Sequence, residues 1–195
     1  MTLACVVGVF VGGQSRRMGG FPKGNLKAPG SELTLLERSL LEIREAVPDA
    51  EIVLVGSSTP YASLSCPALA DQPVGVGPIG GLKALLDHAT ACGKSYALAL
   101  ACDLPRLNRE LLRRLLSEQP AALALVIQQG TVRNPLIARY AVAASRAAVG
   151  RSLAANRYSL QAVLDQLEPA VATLTLSRAE AALFDDWDSP SDLER

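Results

Sequence analysis

The sequence predicts an α/β fold in which a mainly parallel, twisted sheet carries helices on both faces. Apolar runs of strand length alternate with longer segments of helical period, and strand, helix, strand in regular succession is the pattern of a sheet wound by crossover helices. Hydrophobic residues make up 49% of the chain but aromatics only 4%, so the core is built from Val, Leu, Ile and Ala, as in sheets buried on both sides. A length of 195 residues fits one domain, residues 1–195, with a single substantial core.

Taken in order, the expected strands are Ala4 to Val11, Glu51 to Val55, Tyr96 to Ala101, Ala122 to Ile127, Leu136 to Tyr140 and Val171 to Leu176, each a short apolar run. The first expected helix, Leu33 to Ala46, sets Leu35, Leu36, Leu40 and Ile43 on one stripe and keeps Glu37, Arg38, Glu42 and Arg44 largely off it. Ile79 to Ala91 and Asn108 to Leu116 repeat that pattern, the latter opened by Asn108 as an N-cap. Ala141 to Val149 and Ser159 to Leu167 are the remaining expected helices. In sheets of this kind ligands bind beyond the carboxyl ends of the strands, so the loops just after strands are where chemistry is sought.

Nineteen basic residues balance nineteen acidic ones, which removes the long-range attraction a general nucleic-acid or anionic-membrane binder would use. No nucleic-acid or membrane partner is expected. The amino terminus lacks a basic region followed by a cleavable apolar stretch, and Ala4 to Val11 is too short to span a bilayer, so a soluble, cytoplasmic protein is expected. Cys5, Cys66, Cys92 and Cys102 form no CxxC pair and have no His next to them in sequence, so neither a zinc site nor a redox dithiol is expected.

The first strand runs into Gly12, Gly13, Gln14, Ser15, Arg16, Arg17, Met18, Gly19, Gly20, Phe21, Pro22 and Lys23. Glycines and a hydroxyl let the backbone approach a ligand closely and turn its amides toward an anion. No acidic residue precedes Glu32, whereas Arg16, Arg17, Lys23 and Lys27 are all cationic. In a neutral protein a triphosphate explains that segregation, because a cation about 4 Å from a phosphate gains about 4 kcal/mol at a surface-like dielectric. No GKS or GKT occurs, and the strand is not followed by GxGxxG, so the loop is neither of those two phosphate cradles.

The string VGGQSRRMGGFPK resembles the signature LxGGxSxRMGxxK of the molybdenum cofactor nucleotidyltransferases. The resemblance implies a Rossmann-like fold of the nucleotide-diphospho-sugar transferase type. It also implies a strand end, Phe10, Val11, Gly12, Gly13 and Ser15, that wraps the nucleotide, with Arg17 and Lys23 on its phosphates. Phe10 and Val11 stand where Leu-Ala is usual, and Pro22 where an acid is common.

Other segments follow in the family's order. Cys102, Asp103, Leu104 and Pro105 end an apolar strand. A carboxylate there is either a cap or a magnesium ligand, and the resemblance implies that Asp103 binds metal and nucleotide and takes part in catalysis with Arg17 and Lys23. FDDWDSPSDL resembles the family's closing motif (N/D)x(N/D)TPxDL and aligns Asp186 and Asp188 with its polar positions. Asp188 is the implied second metal ligand, and Asp188 or Ser189 equally suits a helix cap before Pro190. Asp71 followed by GVGPIGGL resembles the D…GPLAGL segment that borders base and ribose, which implies contacts from Asp71 and Gly81; GPIGGL also reads as a turn opening a helix. Arg133, Asn134 and Pro135, preceding a strand, resemble an acceptor-side turn.

His88 lies within a helical pattern, with no acid and nucleophile near it in sequence to form a triad. None is needed if the acceptor is a phosphate monoester, whose second pKa near 6 leaves it anionic at neutral pH. The resemblance then implies in-line attack on the α-phosphorus of a nucleotide with loss of diphosphate, assisted by Mg²⁺. The paired glycines and GPIGGL favour the guanylyl-transferring branch, so GTP and a molybdopterin-type phosphorylated acceptor are the implied substrates, and a molybdoenzyme or cofactor-handling proteins the implied partners. A cytidylyltransferase, a sugar-phosphate nucleotidyltransferase and a non-catalytic GTP-binding partner protein stand as alternatives.

Overall fold

A computed structural model describes residues 4–12, 21–176 and 178–181. The elements in chain order are β1 (Cys5–Phe10), α1 (Leu35–Ala46), β2 (Glu51–Val55), β3 (Ala68–Leu69), α2 (Pro78–Ala91), β4 (Tyr96–Ala101), α3 (Arg109–Ser117), β5 (Ala124–Gln129), β6 (Val132–Ala141), α4 (Val142–Ala154), α5 (Leu160–Asp165), β7 (Val171–Leu174) and α6 (Arg178–Ala181). Short 3₁₀ turns cover Lys23–Asn25 and Thr59–Leu64.

The strands form a seven-stranded sheet in the order β3-β2-β1-β4-β6-β5-β7. β1 is parallel to β2 and β4, β2 to β3, and β5 to β7. β6 alone runs against its neighbours, β4 and β5. The expected α/β class, mainly parallel sheet and helices on both faces are therefore all present.

Alternation along β1 sorts its side chains between two cores. Cys5, Val7 and Val9 pack with Leu36, Leu40 and Ile43 of α1 and Leu111, Leu112 and Leu115 of α3. Val6 and Phe10 pack on the other side with Ile79, Leu82 and Leu85 of α2 and Val163 and Leu164 of α5. A Cβ at Gly8 would stand 2.7 Å from a Leu85 methyl, so α2 lies as close to the sheet as a bare glycine permits.

Helix starts follow their caps. Thr34 Oγ1 accepts from Glu37 N at 3.2 Å and Glu37 Oε2 accepts from Thr34 N at 2.8 Å, a capping box that starts α1 at Leu35 rather than Leu33. Asn108 Oδ1 accepts from Leu111 N at 3.0 Å, so the expected N-cap of α3 is in place. α4 runs on past Val149 through Gly150, whose missing Cβ faces open space, to Ala154.

β6 begins at Val132, so Arg133, Asn134 and Pro135 lie inside the strand rather than before it. Ile127 pairs with Asn134 but Val126 with Ala138, which leaves Pro135, Leu136 and Ile137 as extra residues at that step. A bulge is where a strand tolerates proline, which has no N–H to donate. Asn134 Oδ1 accepts from Leu136 N at 3.1 Å, while Arg133 pairs with Asp165 at 2.8 Å and Glu168 at 2.5 Å.

Arg139 is fully buried and its guanidinium donates to the carbonyls of Leu115, Leu116, Glu118 and Gln119 at 2.7–3.1 Å. These are carbonyls at and just beyond the end of α3, so a cation ties that helix terminus to β6.

Candidate functional site

β1, β2, β3 and β4 all end on one edge of the sheet, and the site is assembled there. Val11 N donates to Val55 O at 2.9 Å and Cys102 N to Phe10 O at 3.2 Å, so the chain just past β1 is held between the ends of its two neighbours. The Phe10 and Val11 side chains are buried in the two cores, so both anchor the strand end from within. Beyond them Gly12 meets Gly56: a Cβ at Gly56, whose φ is +104°, would stand 2.9 Å from Gly12 Cα. Two bare backbones thus meet at the strand ends, an approach that requires glycine at 56, whereas a Cβ at Gly12 would make only an ordinary contact at 3.5 Å. The sequence does not mark Gly56, because a lone glycine after a strand carries no signal by itself.

Lys23 and Asp103 meet on this edge. Lys23 Nζ lies 2.9 Å from Asp103 Oδ2, with both side chains about one-fifth exposed at 19% and 22%. Asp103 follows β4 directly, and the carbonyl of Pro105 in the same turn accepts a hydrogen bond from the Arg38 guanidinium of α1. On the other side, Gly24 N donates to Tyr61 Oη at 3.2 Å and fixes the 3₁₀ turn that carries Lys23. Tyr61 was not singled out in the sequence; a tyrosine within a polar connection has no pattern that marks it as a support.

Burial, with a smaller contribution from the Asp103 charge, pushes the Cys102 thiol up to about 12. Burial does the same to the Tyr61 phenol, also to about 12. Neither is an anion at neutral pH.

Asp71 and Gly81 also come together. A Cβ on Gly81 would stand 3.0 Å from Asp71 Oδ1, 2.9 Å from Phe10 Cε1 and 2.7 Å from Val55 Cγ1. The first turn of α2 is thereby pressed against the strand ends, with Gln72 N donating to Gly80 O at 3.0 Å. Burial raises the Asp71 carboxyl above its usual value. Phe10 links the two halves, its carbonyl bound to Cys102 beside Asp103 and its ring lying against Gly81 beside Asp71. Gly13, Ser15, Arg16, Arg17, Asp186 and Asp188 lie outside the described residues.

Magnesium fits what is present. Mg²⁺ is commonly held by one or two carboxylates, with phosphate oxygens and water completing its shell. Asp103 offers such an oxygen at a partly open strand end, paired with the Lys23 ammonium. A cavity of about 820 Å³, lined by Lys83, Asp87, Tyr96 and Arg146 among others, opens at the other end of β4 and takes no part in this geometry.

His88, isolated in sequence, is not isolated in space. Its Nε2 lies 2.8 Å from Glu51 Oε1 and 3.6 Å from Cys92 Sγ. That juxtaposition is hidden from a reading of sequence neighbours, since His88 and Cys92 are four residues apart and meet across a helical turn.

Residues 7–171 match the model of the MobA-like NTP transferase domain. A molybdenum cofactor guanylyltransferase of Shewanella sp. (strain MR-4) is 31% identical over 140 residues, 70% of this chain and 68% of the relative. A relative from Opitutus terrae is 27% identical over 189 residues, 96% of this chain and 92% of its own length. Among solved structures, the molybdopterin-guanine dinucleotide biosynthesis protein A of Archaeoglobus fulgidus superposes with a TM-score of 0.74 at 25% identity, covering 97% of this chain and 95% of that one. The 2-C-methyl-D-erythritol 4-phosphate cytidylyltransferase of Thermus thermophilus, at 19% identity and a TM-score of 0.67 over 100% of this chain and 96% of that one, shares the fold.

Proposed function

Because the chain belongs to the MobA-like NTP transferase domain family, and so to the nucleotidyltransferases, we propose that it transfers GMP from GTP to the phosphate of molybdenum-molybdopterin, releasing diphosphate and forming the guanine dinucleotide cofactor. The observation that carries this reading is the 2.9 Å pairing of Lys23 with Asp103 at the same strand ends as the Gly12–Gly56 contact. One cation, one carboxylate and two bare backbones share a sheet edge, which are the parts a polyphosphate and its counter-ion require.

The acceptor phosphate is already an anion, so the protein needs no base, and its task is positioning and charge neutralisation. Lys23 and Arg17 hold the charge that gathers on the departing diphosphate. Asp103, with Asp188 as second ligand, would hold Mg²⁺, which would supply charge neutralisation to the reacting phosphate. In the ligand-free protein Lys23 and Asp103 neutralise one another, and arrival of the triphosphate gives each its own partner. Asp71 and Gly81 border the base and ribose, Gly81 by leaving room and Asp71 by accepting hydrogen bonds. We assign residues 1–195 to one domain and the chain's place of action to the cytoplasm; among the described residues no helix is long and apolar enough to cross a membrane.

Diphosphate release measured with GTP, CTP and UTP, each with and without molybdenum cofactor, tests the reading. Release with GTP that depends on the cofactor supports it. A preference for CTP or UTP assigns the chain to the cytidylyl or sugar-phosphate alternatives. Nucleotide binding with no release from any pair makes it a non-catalytic partner.

A further inference from the structure

Glu51 opens β2, whereas His88 and Cys92 occupy the last turn of α2 and the residue just after it, so all three lie at the edge of the sheet opposite Lys23 and Asp103. His88 and Cys92 are four residues apart on one helical face, the spacing by which two side chains grip one ion. The imidazole Nε2, a carboxylate oxygen of Glu51 and Sγ of Cys92 all lie within 4.8 Å of one another. Among the described residues no other group of three such donors converges in this way.

We propose that Glu51, His88 and Cys92 form a binding site for one zinc-class divalent cation, separate from the magnesium site of the transfer reaction. The donor set selects the metal: a thiolate and an imidazole beside a single carboxylate suit Zn²⁺ and leave Mg²⁺, which prefers oxygen, without a shell. Zn–S and Zn–N bonds of about 2.3 and 2.05 Å at a tetrahedral angle set the two ligand atoms about 3.6 Å apart. Cys92 Sγ and His88 Nε2 stand 3.6 Å apart before any ion arrives. The 2.8 Å separation of His88 Nε2 and Glu51 Oε1 is that of a hydrogen bond, and needs to open to about 3.4 Å on binding.

The Glu51 carboxylate lies within hydrogen-bond distance of His88 Nε2, so the two side chains are already turned toward one another. Capture replaces the Cys92 S–H bond by an S–metal bond and releases that proton to solvent, and the proton that His88 Nε2 donates to Glu51 leaves that nitrogen, by transfer through solvent to Nδ1, so that the Nε2 lone pair can form the second bond. One carboxylate and one thiolate then cancel the two charges of the cation. Lys94, close enough to act on both Glu51 and Cys92, is the charge that opposes entry. Cys92 is exposed, so water reaches the fourth position.

Titration of the whole chain with Co²⁺ is the test, since cobalt bound to a thiolate shows a near-ultraviolet charge-transfer band and intense visible bands when tetrahedral. One Co²⁺ per chain, displaced by Zn²⁺ but not by excess Mg²⁺, is expected. Cys92→Ser should abolish the charge-transfer band, and His88→Ala should weaken binding by at least about tenfold. Zn²⁺ should raise the thermal midpoint of the wild type and not of either variant, and diphosphate release should stay near wild type in both. A band that persists in Cys92→Ser, displacement by Mg²⁺, or no band at metal concentrations on the order of 1 mM overturns the proposal. None of these readings depends on which nucleotide the enzyme uses.

Discussion

Gly24 donates its backbone N–H to Tyr61 Oη at 3.2 Å, and a Cβ on Gly24 would stand 2.9 Å from the Tyr61 ring. The tyrosine therefore supports the turn that presents Lys23 in two ways, through a hydrogen bond and through a close contact. Tyr61→Phe keeps the ring and removes the acceptor, which should cost about 1–2 kcal/mol and lower turnover by loosening Lys23. Gly24→Ala should cost about 1–3 kcal/mol, because the ring is held in the core and cannot withdraw freely. Urea midpoints and diphosphate release measured together check both; wild-type values for both variants would remove the support.

Lys23→Ala and Asp103→Asn should each depress turnover by about 10²–10³-fold. Stability should change by no more than about 1 kcal/mol, since the pair is partly open to solvent. Steady-state rates and thermal midpoints separate the two effects. A normal rate in Lys23→Ala takes that residue out of the reaction.

Gly81→Ala places a methyl 2.7 Å from Val55 and 3.0 Å from the Asp71 carboxylate. The first turn of α2 must shift outward, at about 1–3 kcal/mol. On the proposed role for Asp71 the KM for nucleotide should rise more than kcat falls. An unchanged KM would take the α2 entrance out of nucleotide recognition.

Glu37 in the capping box titrates with a defined sign. The Thr34 backbone N–H, then its side chain, holds the Glu37 carboxyl below its usual 4.5. The folded value lies below the unfolded one, so the stabilisation is fully present above pH 4.5 and is lost as pH falls through the folded value. Glu37→Gln should therefore flatten the stability profile as pH falls below 4.5, and Thr34→Ala should cost about 1 kcal/mol at neutral pH. Urea midpoints across that range give both slopes.

The elements were legible in the sequence because their signals are local. β2 and β4 follow the expected bounds residue for residue, since an unbroken apolar run suffices to mark a buried strand. β3 was not foreseen, as two residues cannot display a period. The reversed direction of β6 was also hidden, because orientation is set by which neighbours a strand meets and not by its own composition.

What the sequence determined by itself was a supply of parts: an α/β chain, a cationic glycine-rich opening, and an acid after a buried strand. Only the tertiary structure decided who meets whom. It joined Lys23 to Asp103 across 80 positions of chain, set Tyr61 beneath Gly24, and drew Glu51 to His88 and Cys92. The physical reason is that periodicity and turn chemistry act over a few residues, whereas these contacts depend on sheet order and helix placement, which the whole core selects at once.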